Sequence, residues 1–237
     1  EQPGYMGRCT VIVYGNNVVR KTEEQTTVAE EDFSDVEAIE AEYFTLDEFK
    51  FNNGEVLKDA KVEYITFGTP QYDNEGIISN AVIYFHGSSG SCYSARRISE
   101  DIGRGEIFDT DKFFFISASA LGCPGSASPS TTGLMNNFPQ YDVEDMVNFQ
   151  KQFLAEKFSI RHVRGLIGNS MGGFVSLTSA INYPDYADFL IVGVSSYKVA
   201  GHDYILSKFV DVIITSDPDY SRGEMTYSLL RTLRLAN

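Results

Sequence analysis

One serine of this chain stands in a pattern suited to nucleophilic chemistry. Residues 168–172 are Gly-Asn-Ser-Met-Gly, a G-x-S-x-G sequence between an apolar run and a plausible helix. This pattern is typical of a nucleophile elbow, a tight strand-to-helix turn that lifts the serine hydroxyl above a sheet. The flanking glycines fit such a turn, because a Cβ there would clash with the neighbouring chain. We therefore predict that Ser170 is a nucleophile for acyl transfer.

A serine nucleophile also needs backbone N–H groups for the developing oxyanion and a base for its proton. Met171 directly follows the nucleophile, and the polar loop 86–90, His-Gly-Ser-Ser-Gly, stands where a second donor is expected. We predict that the N–H groups of Ser88 and Met171 are the oxyanion donors. His86 is expected to orient this loop rather than to act as the base, since the base of such an elbow comes later in the chain.

The segments around these motifs alternate between predicted strands and helices. Strands are predicted at 43–51, 62–67, 81–85, 113–117, 163–167 and 189–194. The last four belong to a parallel sheet, whereas the first two form an antiparallel hairpin that turns at 52–54. Asp142 predicts the start of a helix over about 143–158, and residues 174–182 predict another. The order predicts an α/β fold, a mostly parallel sheet with flanking helices.

The net charge of −14 is concentrated in one segment. Residues 23–48 hold eleven Asp or Glu and no Lys or Arg, which accounts for all but about three of the net negative charges. We expect residues 1–42 to be an acidic, partly flexible segment, with a docking surface for a basic partner as the alternative. An acidic chain without a basic stripe suits neither nucleic acid nor anionic membranes, so neither is an expected partner.

The remaining composition favours one globular domain without a cofactor. The sequence of 237 residues is 43% apolar, enough for a large core, and no window reaches the ~18 apolar residues of a membrane helix. Cys9, Cys92 and Cys123 are too few and too scattered for a disulfide framework or a zinc site. They favour a cytoplasmic protein, while a leader lost ahead of Glu1 keeps a secreted or surface-exposed one open. No nucleotide or metal motif is found.

Several short stretches extend the pattern beyond the serine. They are Phe108–Ile116, Leu121-Gly122 with Pro124–Ser126, Ser128–Ser130, Phe138-Pro139, Asp145-Met146, Gly168–Gly173 and Ser216–Tyr220. With these motifs the chain resembles the homoserine O-acetyltransferase family of α/β-hydrolases and its hydrolase-like relatives, from about residue 43 onward. The resemblance implies an α/β-hydrolase core over 43–196 and the start of a helical lid over 197–237. A homodimer through that lid is also implied.

The resemblance further implies an acyl-enzyme at Ser170, formed from a small-molecule ester or acyl donor and resolved by water or an alcohol. An acyl-CoA would be the donor of a transferase. One position departs from the family pattern: members that acetylate homoserine carry an arginine shortly before an Asp-Pro pair in the lid, where this chain has Asp211. A carboxylate there would repel the carboxylate of homoserine. A hydrolase is therefore as well supported as a transferase.

The base and its orienting acid have no clear candidates in the sequence. The family carries both after the lid, and Asn237 is reached inside the predicted lid, so we expect the C-terminal strands to be missing and the activity to be impaired. His202 is the one histidine after Ser170. At the lid entrance a substrate-facing role fits it better than that of base, and a structural or solvated role is equally open. A catalytically inactive protein that keeps the fold for binding is the alternative function.

Overall fold

The structure is a computed structural model that describes residues 39–216, together with the backbone of residues 13–14 and 17–18. Within 39–216 the side chains of Arg97, Ser99 and Glu100 are not described. Most of the predicted acidic segment 1–42 and the end of the predicted lid, 217–237, therefore lie outside the described residues.

Strands and helices alternate along most of the described chain. The strands are β1 (Val13–Tyr14), β2 (Asn17–Val18), β3 (Glu42–Lys50), β4 (Val56–Phe67), β5 (Ala81–Phe85), β6 (Ile102–Gly103), β7 (Phe108–Asp109), β8 (Phe114–Ala118), β9 (Val163–Asn169) and β10 (Ala187–Gly193). The helices are α1 (Pro129–Thr132), α2 (Val143–Phe158), α3 (Met171–Asn182) and α4 (Gly201–Thr215). Two segments, Cys92–Asp101 and Met135–Asn137, are 3₁₀-helical.

Six strands form one sheet in the order β10-β9-β5-β8-β4-β3. Its first four strands run parallel, whereas β4 and β3 run antiparallel to their neighbours. The two strands that precede the chemical motifs, β5 and β9, are direct neighbours, with Phe85 opposite Gly168. Because parallel strands end at the same edge of a sheet, the loops after β5 and β9 emerge side by side.

The predicted α/β fold is confirmed, and the starts of two elements lie three or more residues earlier than predicted. The hairpin of β3 and β4 is present, but β4 begins at Val56 rather than at residue 62. Asp59 in this strand has φ +51, which breaks the alternation that a strand pattern requires. Helix α3 begins at Met171 rather than at residue 174. Gly172 and Gly173 hide its first turn in the sequence, because glycine is a poor helix former.

Helix α2 is fixed at its start by reciprocal hydrogen bonds. Asp142 is the predicted N-cap: its Oδ1 accepts the N–H of Asp145 at 2.9 Å, and Asp145 Oδ2 accepts the N–H of Asp142 at 3.1 Å. Asp145 Oδ1 also accepts the N–H of Asn52 at 2.7 Å, which ties the helix to the β3–β4 turn. Helix α2 contributes Met146, Val147, Phe149, Phe153 and Leu154 to the hydrophobic core.

Candidate active site

Ser170 lies in a strained turn between β9 and α3. Its backbone has φ +54 and ψ −116, a conformation that is uncommon outside glycine and that clusters at functional sites. The turn is held by the N–H of Ser170, which donates to the carbonyl oxygen of Gly193 at the end of β10 at 3.0 Å. Serine usually caps the helix it precedes, but the Ser170 side chain does not cap α3. The hydroxyl is therefore free for another use.

Both glycines of the G-x-S-x-G pattern are required by close packing. A Cβ on Gly172 would overlap the carbonyl oxygen of Phe85 and lie 2.8 Å from that of His86. A Cβ on Gly168 would overlap the carbonyl group of Gly172. The elbow thus packs directly against the end of β5, where any added atom would displace backbone.

The loop after β5 lies beside the nucleophile, as the pairing of β5 with β9 requires. A Cβ on Gly87 would be 3.5 Å from the Cβ of Ser170. Residues 87–90 form a turn in which the N–H of Gly90 donates to the Gly87 carbonyl at 2.9 Å, so the turn itself does not use the N–H of Ser88. Met171 opens α3, where the first N–H groups have no acceptor within the helix. The assignment of Ser88 and Met171 as oxyanion donors remains a prediction.

His86 is buried and uses both of its ring nitrogens. Nδ1 lies 2.7 Å from the carbonyl oxygen of Gly87, and Nε2 accepts the N–H of Ala120 at 2.9 Å. This pattern assigns a neutral ring with its proton on Nδ1. Burial lowers the pKa of His86, although the Gly87 carbonyl and the charge of Glu63 act in the opposite direction. With Nε2 occupied, His86 fastens the loop to the segment after β8 instead of serving as a base.

We expect the stability of the protein to fall in acid partly through His86. Its pKa in the folded chain lies below that of the unfolded chain, so the unfolded chain binds more protons below about pH 6.5. The free energy of unfolding should therefore decrease more between pH 8 and pH 5 in the wild type than in His86→Gln, whose amide oxygen can accept the Ala120 N–H without titrating. Urea titrations across this range measure the difference, and equal pH dependences would contradict it.

A second histidine pairs with a carboxylate, but this pair lies far from Ser170, at the opposite edge of the sheet. His162 Nε2 lies 3.2 Å from Asp188 Oδ1, and Arg164 binds the other oxygen of Asp188. These residues stand at the starts of β9 and β10, whereas Ser170 follows the end of β9. Because the two ends of a strand lie at opposite edges of the sheet, this His–Asp pair cannot act on Ser170.

His202 and Asp211 both belong to α4, the helix that follows β10. Both side chains are exposed, and Asp211 Oδ2 lies 3.7 Å from Lys208 Nζ on the same helix. The substrate-facing role of His202 remains a prediction. Helix α4 has no buried residue, and its exposed apolar side chains are Tyr204, Ile205, Leu206, Phe209 and Val212.

Two residues near the elbow were not predicted from the sequence. Gly193 supplies the carbonyl that holds the Ser170 N–H, a contact set by the pairing of β10 with β9. Glu63 places a nearly buried carboxylate beside the loop after β8. For Glu63 the sequence offered one signal, which is a lone Glu between apolar residues of a strand.

The described residues offer no metal site and no membrane span. Within 39–216, no three His, Cys, Asp or Glu side chains are grouped so that they could hold a metal ion. The helices of this part of the chain lack the combined length and hydropathy that crossing a bilayer requires.

Known proteins similar to this chain agree with its architecture. The sequence profile of the alpha/beta hydrolase fold family matches residues 80–222. A protein from Methanothermobacter thermautotrophicus named "Probable acyltransferase" is 51% identical over 188 residues, which cover 79% of this chain and 58% of that protein. A homoserine O-acetyltransferase from Methanosalsum zhilinae is 30% identical, covering 80% of this chain and 41% of that enzyme.

A solved structure is also similar to this chain. An acetylester hydrolase from Corynebacterium glutamicum superposes with a TM-score of 0.70 at 25% identity, over 83% of this chain and 56% of that one. The chain thus spans about half the length of the proteins it matches. Its sheet order, its elbow and the family profile over residues 80–222 lead to the same assignment. The chain belongs to the α/β-hydrolase fold family, as a member similar to homoserine O-acetyltransferases.

Proposed function

We propose that the chain carries the nucleophile of a serine acyl hydrolase or O-acyltransferase, which works through an acyl-enzyme at Ser170. The observation that carries this proposal is the strained backbone of Ser170, whose hydroxyl does not cap α3 and which lies beside the turn of Ser88. The acyltransferase and acetylester hydrolase among the similar proteins support the same class of reaction.

The reaction would proceed in two steps. Ser170 Oγ attacks the carbonyl carbon of an ester, its proton passes to solvent or to the leaving alkoxide, and the ester C–O bond breaks to release an alcohol. Water or a second alcohol then attacks the new ester at Ser170 and restores the hydroxyl. The N–H groups of Ser88 and Met171 would bind the oxyanion in both steps. One such donor contributes about 3 kcal/mol, or roughly a hundredfold in rate.

Transfer of the Ser170 hydroxyl proton is expected to limit the rate of acylation by this chain. The sequence has three histidines. Ring hydrogen bonds occupy His86, and His162 lies at the opposite edge of the sheet, which leaves His202 as the remaining candidate. A serine hydroxyl without a base is a weak nucleophile. We therefore expect slow acylation by this chain alone, about 10³ to 10⁴ above the reaction in water by comparison with enzymes that lack their triad.

The acceptor is proposed to be water or an alcohol without a carboxylate. Asp211 carries the wrong charge for an amino-acid carboxylate, and it lies exposed on α4. No cofactor is proposed, and an acyl-CoA would be the donor of the transferase alternative. The exposed apolar side chains of α4 support a homodimer through this helix.

Labelling with a fluorophosphonate tests the class of function. We expect one adduct per folded chain, mapped to the peptide that holds Ser170, slow in onset and absent from the urea-unfolded chain. Ser170→Ala should lose the adduct. Ser207→Ala removes an exposed hydroxyl from α4 and should retain the adduct. Folded protein that labels no faster than unfolded protein would favour the alternative, a binding protein without catalysis.

A further inference from the structure

Glu63 is the carboxylate at the centre of a buried hydrogen-bond network next to the proposed site. It lies in β4 and is 9% exposed. Its Oε2 accepts the hydroxyl of Ser119 at 2.6 Å and lies 3.6 Å from the thiol of Cys92, while Oε1 accepts the hydroxyl of Tyr43 at 3.2 Å. A Cβ on Gly125 would overlap this carboxylate, so a glycine provides its space. Burial of a charge is costly and calls for a reason.

The carboxylate fixes the direction of the Ser119 hydroxyl. A hydroxyl has one proton to donate, and Ser119 donates it to Glu63. Its lone pairs then face the N–H of Cys92, which donates to Ser119 Oγ at 2.9 Å. The hydroxyl of Ser117 donates to the Cys92 carbonyl at 2.7 Å. Cys92 is therefore held through both its N–H and its carbonyl.

These bonds hold the C-terminal end, or far end, of the 86–92 loop, which carries Ser88. The near end is held by His86, whose Nε2 accepts the N–H of Ala120. The far end is held at Cys92 by Ser119, the residue just before Ala120. Both ends are thus fixed to the same short segment after β8, and Glu63 ties that segment to β4. The N–H of Ser119 also donates to the Glu63 carbonyl at 2.8 Å.

We propose that Glu63 is a positioning residue, which acts through Ser119 and Cys92 to hold the 86–92 loop where Ser88 can donate to an oxyanion at Ser170. The proposal rests on the proposed acyl transfer at Ser170. Oxyanion donors act through fixed geometry, so a small displacement of the loop should slow acylation without weakening ester binding in proportion. Glu63 would act on the substrate only through these residues.

Two substitutions at Glu63 and one matched control test this role. Glu63→Leu removes every acceptor, Glu63→Gln keeps one carbonyl acceptor for Ser119, and Glu48→Gln changes an exposed carboxylate of β3. Glu63→Leu should lower the acylation rate constant of Ser170 at saturating p-nitrophenyl acetate by about tenfold or more. The ester concentration that gives half of the maximal rate should change less. Glu63→Gln should recover most of the rate, and Glu48→Gln should equal the wild type.

Amide hydrogen exchange gives a readout that does not depend on catalysis. Exchange in residues 88–92 should become at least about tenfold faster in Glu63→Leu and stay near wild type in Glu63→Gln and Glu48→Gln. Unchanged exchange and unchanged acylation in a folded Glu63→Leu protein would overturn the proposal. A wild-type chain that forms no adduct at Ser170 would overturn the proposed function instead, and exchange alone would then decide whether Glu63 anchors the loop.

Discussion

Replacing Gly172 by alanine is expected to lower the free energy of unfolding by about 2 kcal/mol and to slow acylation of Ser170 by roughly a hundredfold. The added Cβ overlaps the carbonyl oxygen of Phe85, which belongs to the backbone of a central strand and cannot rotate away. Overpacking of this kind costs about 1–3 kcal/mol or more, whereas the gain in helix propensity from glycine to alanine is at most about 1 kcal/mol. The steric clash therefore outweighs the gain in helix propensity, and the substitution should destabilise the protein.

The loss of acylation should exceed what the loss of stability explains. The elbow must move away from the end of β5, and a shift of about 1 Å at a reacting group costs roughly a hundredfold in rate. Gly103→Ala is the matched control, because the nearest atom to its Cβ, Glu106 Cγ, lies at an ordinary 3.4 Å. Urea titration and adduct formation should both stay near wild type there. A Gly172→Ala protein of wild-type stability and reactivity would contradict the packing of the elbow.

Replacing Ser170 by cysteine is expected to accelerate acylation by about tenfold or more at pH 8. In an enzyme with a working base, serine is already activated, but here hydrogen bonds occupy both ring nitrogens of His86, and His162 lies at the opposite edge of the sheet. A thiol near its usual pKa of about 8.5 supplies a substantial thiolate fraction by itself. The acylation rate of Ser170→Cys should therefore rise with pH up to that range. Stopped-flow release of p-nitrophenol from p-nitrophenyl acetate measures the rate.

Other thiols are controlled in the same experiment, since Cys9 is common to every variant and to the wild type. Ser207→Cys reports the reactivity of an exposed thiol outside the site, and Ser170→Cys should exceed it because of the oxyanion donors. The native Cys92 is buried next to Glu63, which together raise its pKa to about 12, and burial raises the pKa of Cys123. Both remain protonated and should contribute no adduct. Slower acylation by Ser170→Cys than by the wild type would mean that Ser170 has a base, with His202 as the first candidate.

The local patterns predicted the parts of the site that neighbouring residues determine. The G-x-S-x-G pattern located the elbow because tight turns need glycine within a few positions, and the structure shows the backbone overlap that Gly172 avoids. The continuous apolar runs located β5 and β9, whose shared edge brings the loop of Ser88 beside Ser170. Both features are determined by residues that lie close together in the sequence.

The contacts that fix the site come from distant strands, and no local pattern reports them. The carbonyl of Gly193 reaches Ser170 because β10 pairs with β9 in one particular register. Glu63 reaches Ser119 because β4 runs antiparallel beside β8. The positive φ of Asp59 concealed the first half of β4 in the same way, since strand alternation is the signal that it interrupts.

The mass of an acyl-enzyme tests directly whether Ser170 is an acyl-accepting nucleophile. Folded protein is incubated with p-nitrophenyl acetate, and its intact mass and peptide map are recorded over time. Because the second step also needs a base to activate water, we expect the intermediate to accumulate. The predicted result is one acetyl group per chain on the peptide that holds Ser170, lost in Ser170→Ala and in the unfolded chain. Acetyl groups scattered over lysines, with none on Ser170, would contradict the assignment of Ser170 as the nucleophile.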